Sequence, residues 1–169
     1  TASGFECYPS VPGRTWHKES YYFARQLAEK MQQAGAKLRG HGGIRYIYYQ
    51  SETKQLVESN HTEVREERSF TLLEDVDCPA VLAEQCFVTS KEDVAYLKDS
   101  AYREKLAAAE ARGILEYFGV AWKEVSELDA AVDKLAAAGI IDSPDRWKKL
   151  DFTENSVRLL IIKMAAALK

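Results

Sequence analysis

The sequence predicts an α/β domain, with a central, mostly parallel sheet flanked by helices, followed by a small all-α module. Three observations predict it. Short apolar runs of strand character alternate with helix-period segments over residues 4–118, the pattern of helices packed on a sheet. The nearly continuous apolar run Pro79-Ala80-Val81-Leu82-Ala83-Glu84-Gln85-Cys86-Phe87-Val88 reads as a buried strand covered on both faces. After Val120 the strand character stops and only helix-period segments remain. Domain boundaries are therefore expected at residues 1–120 and 121–169.

The elements follow in order. Gly4-Phe5-Glu6-Cys7-Tyr8 alternates and stops at Pro9, as a strand does. A helix is expected over residues 18–34, with Phe23, Ala24, Leu27, Ala28 and Met31 on one face and Gly35 as its stop. Gly40-His41-Gly42-Gly43 is a turn, and Arg45-Tyr46-Ile47-Tyr48-Tyr49 a strand. Residues 51–69 are polar and dense in charge, with a pattern too weak to assign. Residues 69–73 and 81–87 read as strands joined by the acidic turn Glu74-Asp75-Val76-Asp77. Ser90 with Asp93 fits a capping arrangement at the start of a helix. A longer helix over residues 101–118 turns Tyr102, Leu106, Ala109, Ile114, Tyr117 and Phe118 toward a core and ends at Gly119.

In the module, Ser126 caps a helix carrying Leu128, Val132 and Leu135, closed by Gly139. Ser143-Pro144 has the cap-then-proline form of a second start. Thr153 begins a third helix with Val157, Leu160, Ile161, Met164 and Leu168 at helical spacing. About fifty residues is near the lower limit for independent folding, so this module is expected to lean on a neighbour or self-associate.

Composition narrows the function. Hydrophobic residues make up 46% and charged residues 29% of 169, with a net charge of −3. A core is affordable, while the basic stripe of a nucleic-acid binder is missing. No apolar stretch approaches the roughly 20 residues of a membrane span, and no signal peptide begins at Thr1. Cys7, Cys78 and Cys86 have no metal-ligand spacing and read as small buried hydrophobes. His17, His41 and His61 read as surface residues, Glu63 to Arg68 as a solvated face, and Trp147 as the anchor of the helical module. Tyr46, Tyr48 and Tyr49 read as strand packing rather than a sugar-binding groove.

Glu84 is the acid out of place. A carboxylate inside an apolar strand costs several kcal/mol unless it is paired, bound or neutralised, and folds that keep one generally use it. The bland alternative is a structural acid paired with an arginine or capping a helix.

Pro79-Ala80-Val81-Leu82-Ala83-Glu84, then Phe87, Ser90, Glu92, Asp93 and Leu97, resembles the C-terminal signature of the zinc-dependent N-acetylmuramoyl-L-alanine amidases (the amidase-3 family), which reads PAVLVE-x-GF-x-SN-x-x-E. Cys86 and Lys91 depart from its usual Gly and Asn. The likeness extends over residues 4–120. It implies hydrolysis of the amide between N-acetylmuramic acid and L-alanine of the peptidoglycan stem peptide, with Glu84 as general base and then general acid. It also implies substrate binding by Arg39, from the Arg39-Gly40 pair after the first helix; a helix-end turn is the bland reading of that pair. The family's zinc ligands, two histidines and a glutamate, fall before the strand at residues 4–8. The resemblance therefore implies the C-terminal portion of such a domain, with zinc as cofactor and its ligands upstream of Thr1. Residues 131–147, with the string Gly-Ile-Ile-x-Ser-Pro-x-x-Trp, resemble a helical repeat found beside cell-wall hydrolases and phage lysins. The expected partners are peptidoglycan and either the missing N-terminal half or a second copy bound through the helical module, with no nucleic acid. The expected place is secreted, wall-associated or delivered to the wall as a phage lysin. The alternative is a noncatalytic wall-binding or assembly fragment.

Overall fold

The computed structural model describes residues 2–51, 54–123 and 126–167. The chain divides into two compact units, Thr1–Trp122 and Lys123–Lys169. The first holds β1 (Glu6–Pro9), α1 (His17–Gln33), β2 (Tyr46–Tyr49), β3 (Gln55–Glu58), α2 (Thr71–Glu74), β4 (Val81–Glu84), α3 (Lys91–Lys98) and α4 (Ser100–Tyr117).

The sheet differs from the expected parallel one. β1 pairs antiparallel with β4, and β2 pairs antiparallel with β3. Among the described residues, parallel pairing survives as two isolated bridges on the other side of β1, Phe5 with Leu38 and Cys7 with Ile44. Residues 40–43 loop out between those bridges and interrupt the ladder. β4 is also less enclosed than a doubly covered strand, because all four of its residues keep partial solvent access.

The core forms where α1 lays its apolar stripe on β1. Ala24, Leu27, Ala28 and Met31 meet Phe5, Cys7 and Ile44 beneath Leu106 and Ala109 of α4. Burying side chains such as Leu27 and Met31 contributes about 1.5–3 kcal/mol each. Gly113 lets α4 cross α1 closely, since a Cβ there would lie 3.0 Å from Leu27 Cδ2 and 3.2 Å from the Gln26 carbonyl oxygen. Ile114 and Phe118, expected to face the core, are exposed.

Helix ends follow the sequence closely. α1, α4 and α5 (Glu127–Ala137) each close with paired Schellman hydrogen bonds, as in Gly35 N–H to Gln32 and Ala36 N–H to Met31. Ser90 accepts from Asp93 N–H at 3.3 Å, the predicted cap. Asp93 itself reaches away from the helix, accepting from Gly4 N–H at 2.9 Å and Phe87 N–H at 2.8 Å. It thereby ties the start of β1 to the segment after β4.

Residues 69–73 are not a strand. The chain turns into α2, whose Glu74 carboxylate accepts from Ser69 N–H at 2.8 Å and from Arg14 at 3.1 Å. Leu73 goes into a cluster with Tyr8 and Ile47 while Leu72 stays exposed. Part of the polar stretch left unassigned is β3. Cys7 is a buried hydrophobe, its thiol pushed up to about 12 by burial and then by Glu6, but Cys78 is exposed and Cys86 half-buried.

The second unit is helical: α5, α6 (Pro144–Lys148) and α7 (Glu154–Ala167). Ser126 accepts from Asp129 N–H at 3.0 Å, as predicted, and Trp147 stacks on Phe152 at 4.8 Å. Ile161 and Met164 of α7 are exposed, and Leu168 lies outside the described residues.

Candidate functional site

Two acids from distant parts of the chain meet on one face of the β1–β4 ladder. The register places Glu6 directly opposite Glu84, and Tyr8 opposite Leu82. Directly paired residues share a face, with Cβ atoms about 5 Å apart. Cys7, one residue along, points the other way into the α1 core.

Glu6 is 1% exposed, and its carboxylate is fully claimed. Arg39 Nη1 donates to both oxygens, at 2.6 and 2.5 Å. Arg45 Nη1 donates to Oε2 at 3.0 Å, and the Tyr8 hydroxyl to Oε1 at 2.9 Å. The backbone brings both arginines there. Arg39 N–H donates to the Phe5 carbonyl at 2.8 Å and Arg45 N–H to the Cys7 carbonyl at 3.0 Å, so the two residues bracket Glu6. The Arg39 guanidinium also lies over the Phe87 ring, 5.2 Å from its centroid.

These surroundings separate the two acids. Burial pushes the Glu6 carboxyl up, but hydrogen bonds from Arg39, Arg45 and Tyr8 outweigh it and hold the group below its ordinary 4.5. Glu84 goes the other way. Burial raises it, the Glu6 charge and a hydrogen bond to Glu6 raise it further, and Arg39 offsets only part. One carboxylate is locked ionised beside another that keeps its proton more readily, an arrangement suited to acid–base chemistry.

Glu84 is thus half-buried, and the guanidinium clamp closes on Glu6, not on it. Arg39, the other predicted site residue, is in the same cluster, held by Glu6 with about a third of its side chain exposed. The sequence reading passes over Glu6, although the test applied to Glu84 fits it as well: an acid flanked by Phe5 and Cys7.

His41 is exposed, as a surface residue would be, but His17 and His61 are more engaged. His17 and His61 both pack on Tyr46, with ring centroids 5.8 and 5.6 Å away. His61 Nδ1 is 3.0 Å from the Tyr46 hydroxyl, and burial, then the charges of His41 and His17, push its pKa down. Tyr46 and Tyr48 are fully buried, which agrees with strand packing. Among the described residues, no group of three or more His, Cys, Asp or Glu side chains could hold a metal ion. The described residues therefore do not fit a zinc site by themselves.

A model of the Amidase_3 family, described as N-acetylmuramoyl-L-alanine amidase, matches residues 1–116. The chain belongs to this family. It is 38% identical over 58 residues to the N-acetylmuramoyl-L-alanine amidase AmiA of Salmonella typhimurium (strain LT2), and 36% identical over 58 residues to AmiA of Escherichia coli (strain K12). Each match covers 34% of this chain, which spans only 20% of either relative. Among solved structures, the N-acetylmuramyl-L-alanine amidase Ami1 of Mycobacterium smegmatis aligns with a TM-score of 0.49 at 24% identity, over 69% of this chain and 47% of that one. The apo form of Ami1 from Mycobacterium abscessus gives 0.49 at 21% identity, over 69% and 48%.

Proposed function

We propose that this chain supplies the proton-transfer part of a peptidoglycan amidase that cleaves between N-acetylmuramic acid and L-alanine of the stem peptide. Family membership supports the reaction class, and the observation that carries the residue assignment is the unclamped, half-buried Glu84 with its raised pKa. Glu84 as carboxylate takes a proton from the attacking water as the new C–O bond forms. It then gives that proton to the leaving nitrogen as the C–N bond breaks, releasing a carboxylic acid and a free amine. Arg39 keeps exposed surface with which to contact substrate beside it. The zinc implied by the family resemblance would need ligands beyond those described, so no step is assigned to it.

On this reading the protein acts on the cell wall, and residues 121–169 are a separate module serving wall attachment or self-association. Among the described residues, no helix is long and apolar enough to cross a membrane. The test is Glu84→Gln in the full-length product of the gene, assayed for muropeptide release. A loss of about 10²–10⁴ in kcat, the usual contribution of a positioned acid–base group, is expected. Retained activity would remove Glu84 from the mechanism. Muropeptide release by the full-length product that is lost in Glu84→Gln separates this reading from a noncatalytic wall-binding fragment, in which the substitution would leave wall binding and any release unchanged.

A further inference from the structure

We infer that Glu6 is a positioning residue for Glu84: an anionic neighbour, fixed by Arg39 and Arg45, that makes Glu84 hold its proton until the leaving group takes it. This rests on the acid–base assignment of Glu84 above, but it concerns a residue to which that assignment gives no role.

The geometry supports it in three ways. Glu6 is opposite Glu84 in the ladder, so backbone hydrogen bonds set the spacing from which the two side chains approach on one face. Glu6 is buried and receives donors from three side chains, so its charge is held in place. Arg39 joins Glu6 to Phe87, three residues beyond Glu84, so the clamp on Glu6 also touches the segment after β4.

A structural ion pair could have used any acid at position 6. What distinguishes this one is the carboxyl it faces. Two carboxylates at hydrogen-bonding range do not both ionise easily, and the one with more cationic donors ionises first. The charged and titratable groups around Glu84 are Glu6 and Tyr8 from β1, with Arg39 and Arg45 from the segment bracketing β1. The opposing cation nearest Glu84 is Arg39, already committed to Glu6. When Glu84 is protonated the four-group set Glu6, Glu84, Arg39 and Arg45 carries a net positive charge; when it ionises the set becomes neutral. The cluster therefore tolerates both states of Glu84, as a group that cycles its proton requires.

The experiment is a ¹³C NMR titration of the Glu84 side-chain carboxyl in the 169-residue chain, comparing wild type with Glu6→Gln and Arg39→Gln. Glu6→Gln should lower the Glu84 midpoint by about one pH unit or more, because the like charge is removed and the amide oxygen left in its place is a weaker acceptor for the Glu84 proton. Arg39→Gln should raise it. Opposite signs are the signature, since loosening of the fold would move both variants the same way, toward the free carboxyl value. An unmoved midpoint in both variants, or shifts of one sign, would overturn the inference. If Glu6→Gln fails to fold, Arg39→Gln and Tyr8→Phe read the same coupling from the donor side, and a Glu84 midpoint unchanged in both overturns it. In the full-length protein, Glu6→Gln should move the acidic limb of the kcat/KM profile down by the NMR shift, while Glu84→Gln abolishes that limb. An active Glu84→Gln enzyme would sink the functional assignment and leave the titration result standing; an uncoupled titration would sink the role of Glu6 and leave Glu84 in place.

Discussion

Glu6 and Glu84 sit opposite each other on neighbouring antiparallel strands, and among the described residues the first is paired with two arginines and the second with none of its own. That asymmetry determines how the molecule should respond to acid and to substitution.

Glu6 ties β1 to the segment that carries Arg39 and Arg45. Glu6→Gln should cost about 3 kcal/mol at pH 7, the lower end for breaking a buried ion pair, because both arginines retain some solvent access. The folded pKa of Glu6 lies below 4.5, so its contribution is complete above that value and is lost as pH falls through the folded value. Urea unfolding should show the gap between wild type and variant narrowing below pH 4.5; a gap that is constant from pH 7 to pH 3 contradicts this.

Glu84 should behave in the reverse sense. Its folded pKa is raised, so its favourable contribution is present below 4.5 and disappears as pH rises through the folded value. Glu84→Gln should therefore be more stable than wild type at pH 8, with the advantage shrinking toward pH 4. Thermal unfolding across that range checks it, and a variant that is less stable at pH 8 would count against a strained catalytic acid.

Asp93 holds two segments with one carboxylate. Asp93→Asn should destabilise by about 2 kcal/mol, the cost of weakening charge-assisted bonds to buried amides. Amide hydrogen exchange should speed up at Gly4 and Phe87. Ser90→Ala should cost about 1 kcal/mol through the lost cap and leave those two amides protected.

Gly4 opens β1 at φ +91°, where a Cβ would meet the Lys37 carbonyl oxygen at 2.3 Å. Gly4→Ala should cost more than about 2 kcal/mol, combining left-handed strain with a backbone clash. Gly42→Ala, at φ +66° with open space around it, should cost only about 1 kcal/mol. Equal costs for the two would mean that the contact with Lys37 relaxes freely.

The local grammar of the chain was readable because it is written in neighbouring residues. Gly35, Gly119 and Gly139 mark helix ends, and Ser90 and Ser126 mark helix starts, through hydrogen bonds spanning at most five residues. The stripe of α1 is equally local. What could not be read depends on distant partners. Residues 69–73 have strand character, but Arg14 and Ser69 gather on Glu74 and make a helical turn more favourable. β3 lacks an apolar pattern and exists because β2 offers it a partner. Glu84 announced itself as an acid within an apolar run. Glu6 sits in an equally apolar setting, yet its meaning comes from arginines 33 and 39 residues away, and no local pattern records that distance.

The excursion between Arg39 and Arg45 has a further consequence. Its two stems are pinned to β1, while residues 40–42 at its tip are exposed. Extra residues spliced into that tip would lengthen the loop without disturbing either anchor. The protein thus offers a natural grafting point next to its acid pair, where new recognition surface could accumulate over evolutionary time, or by engineering, at little cost to the scaffold underneath.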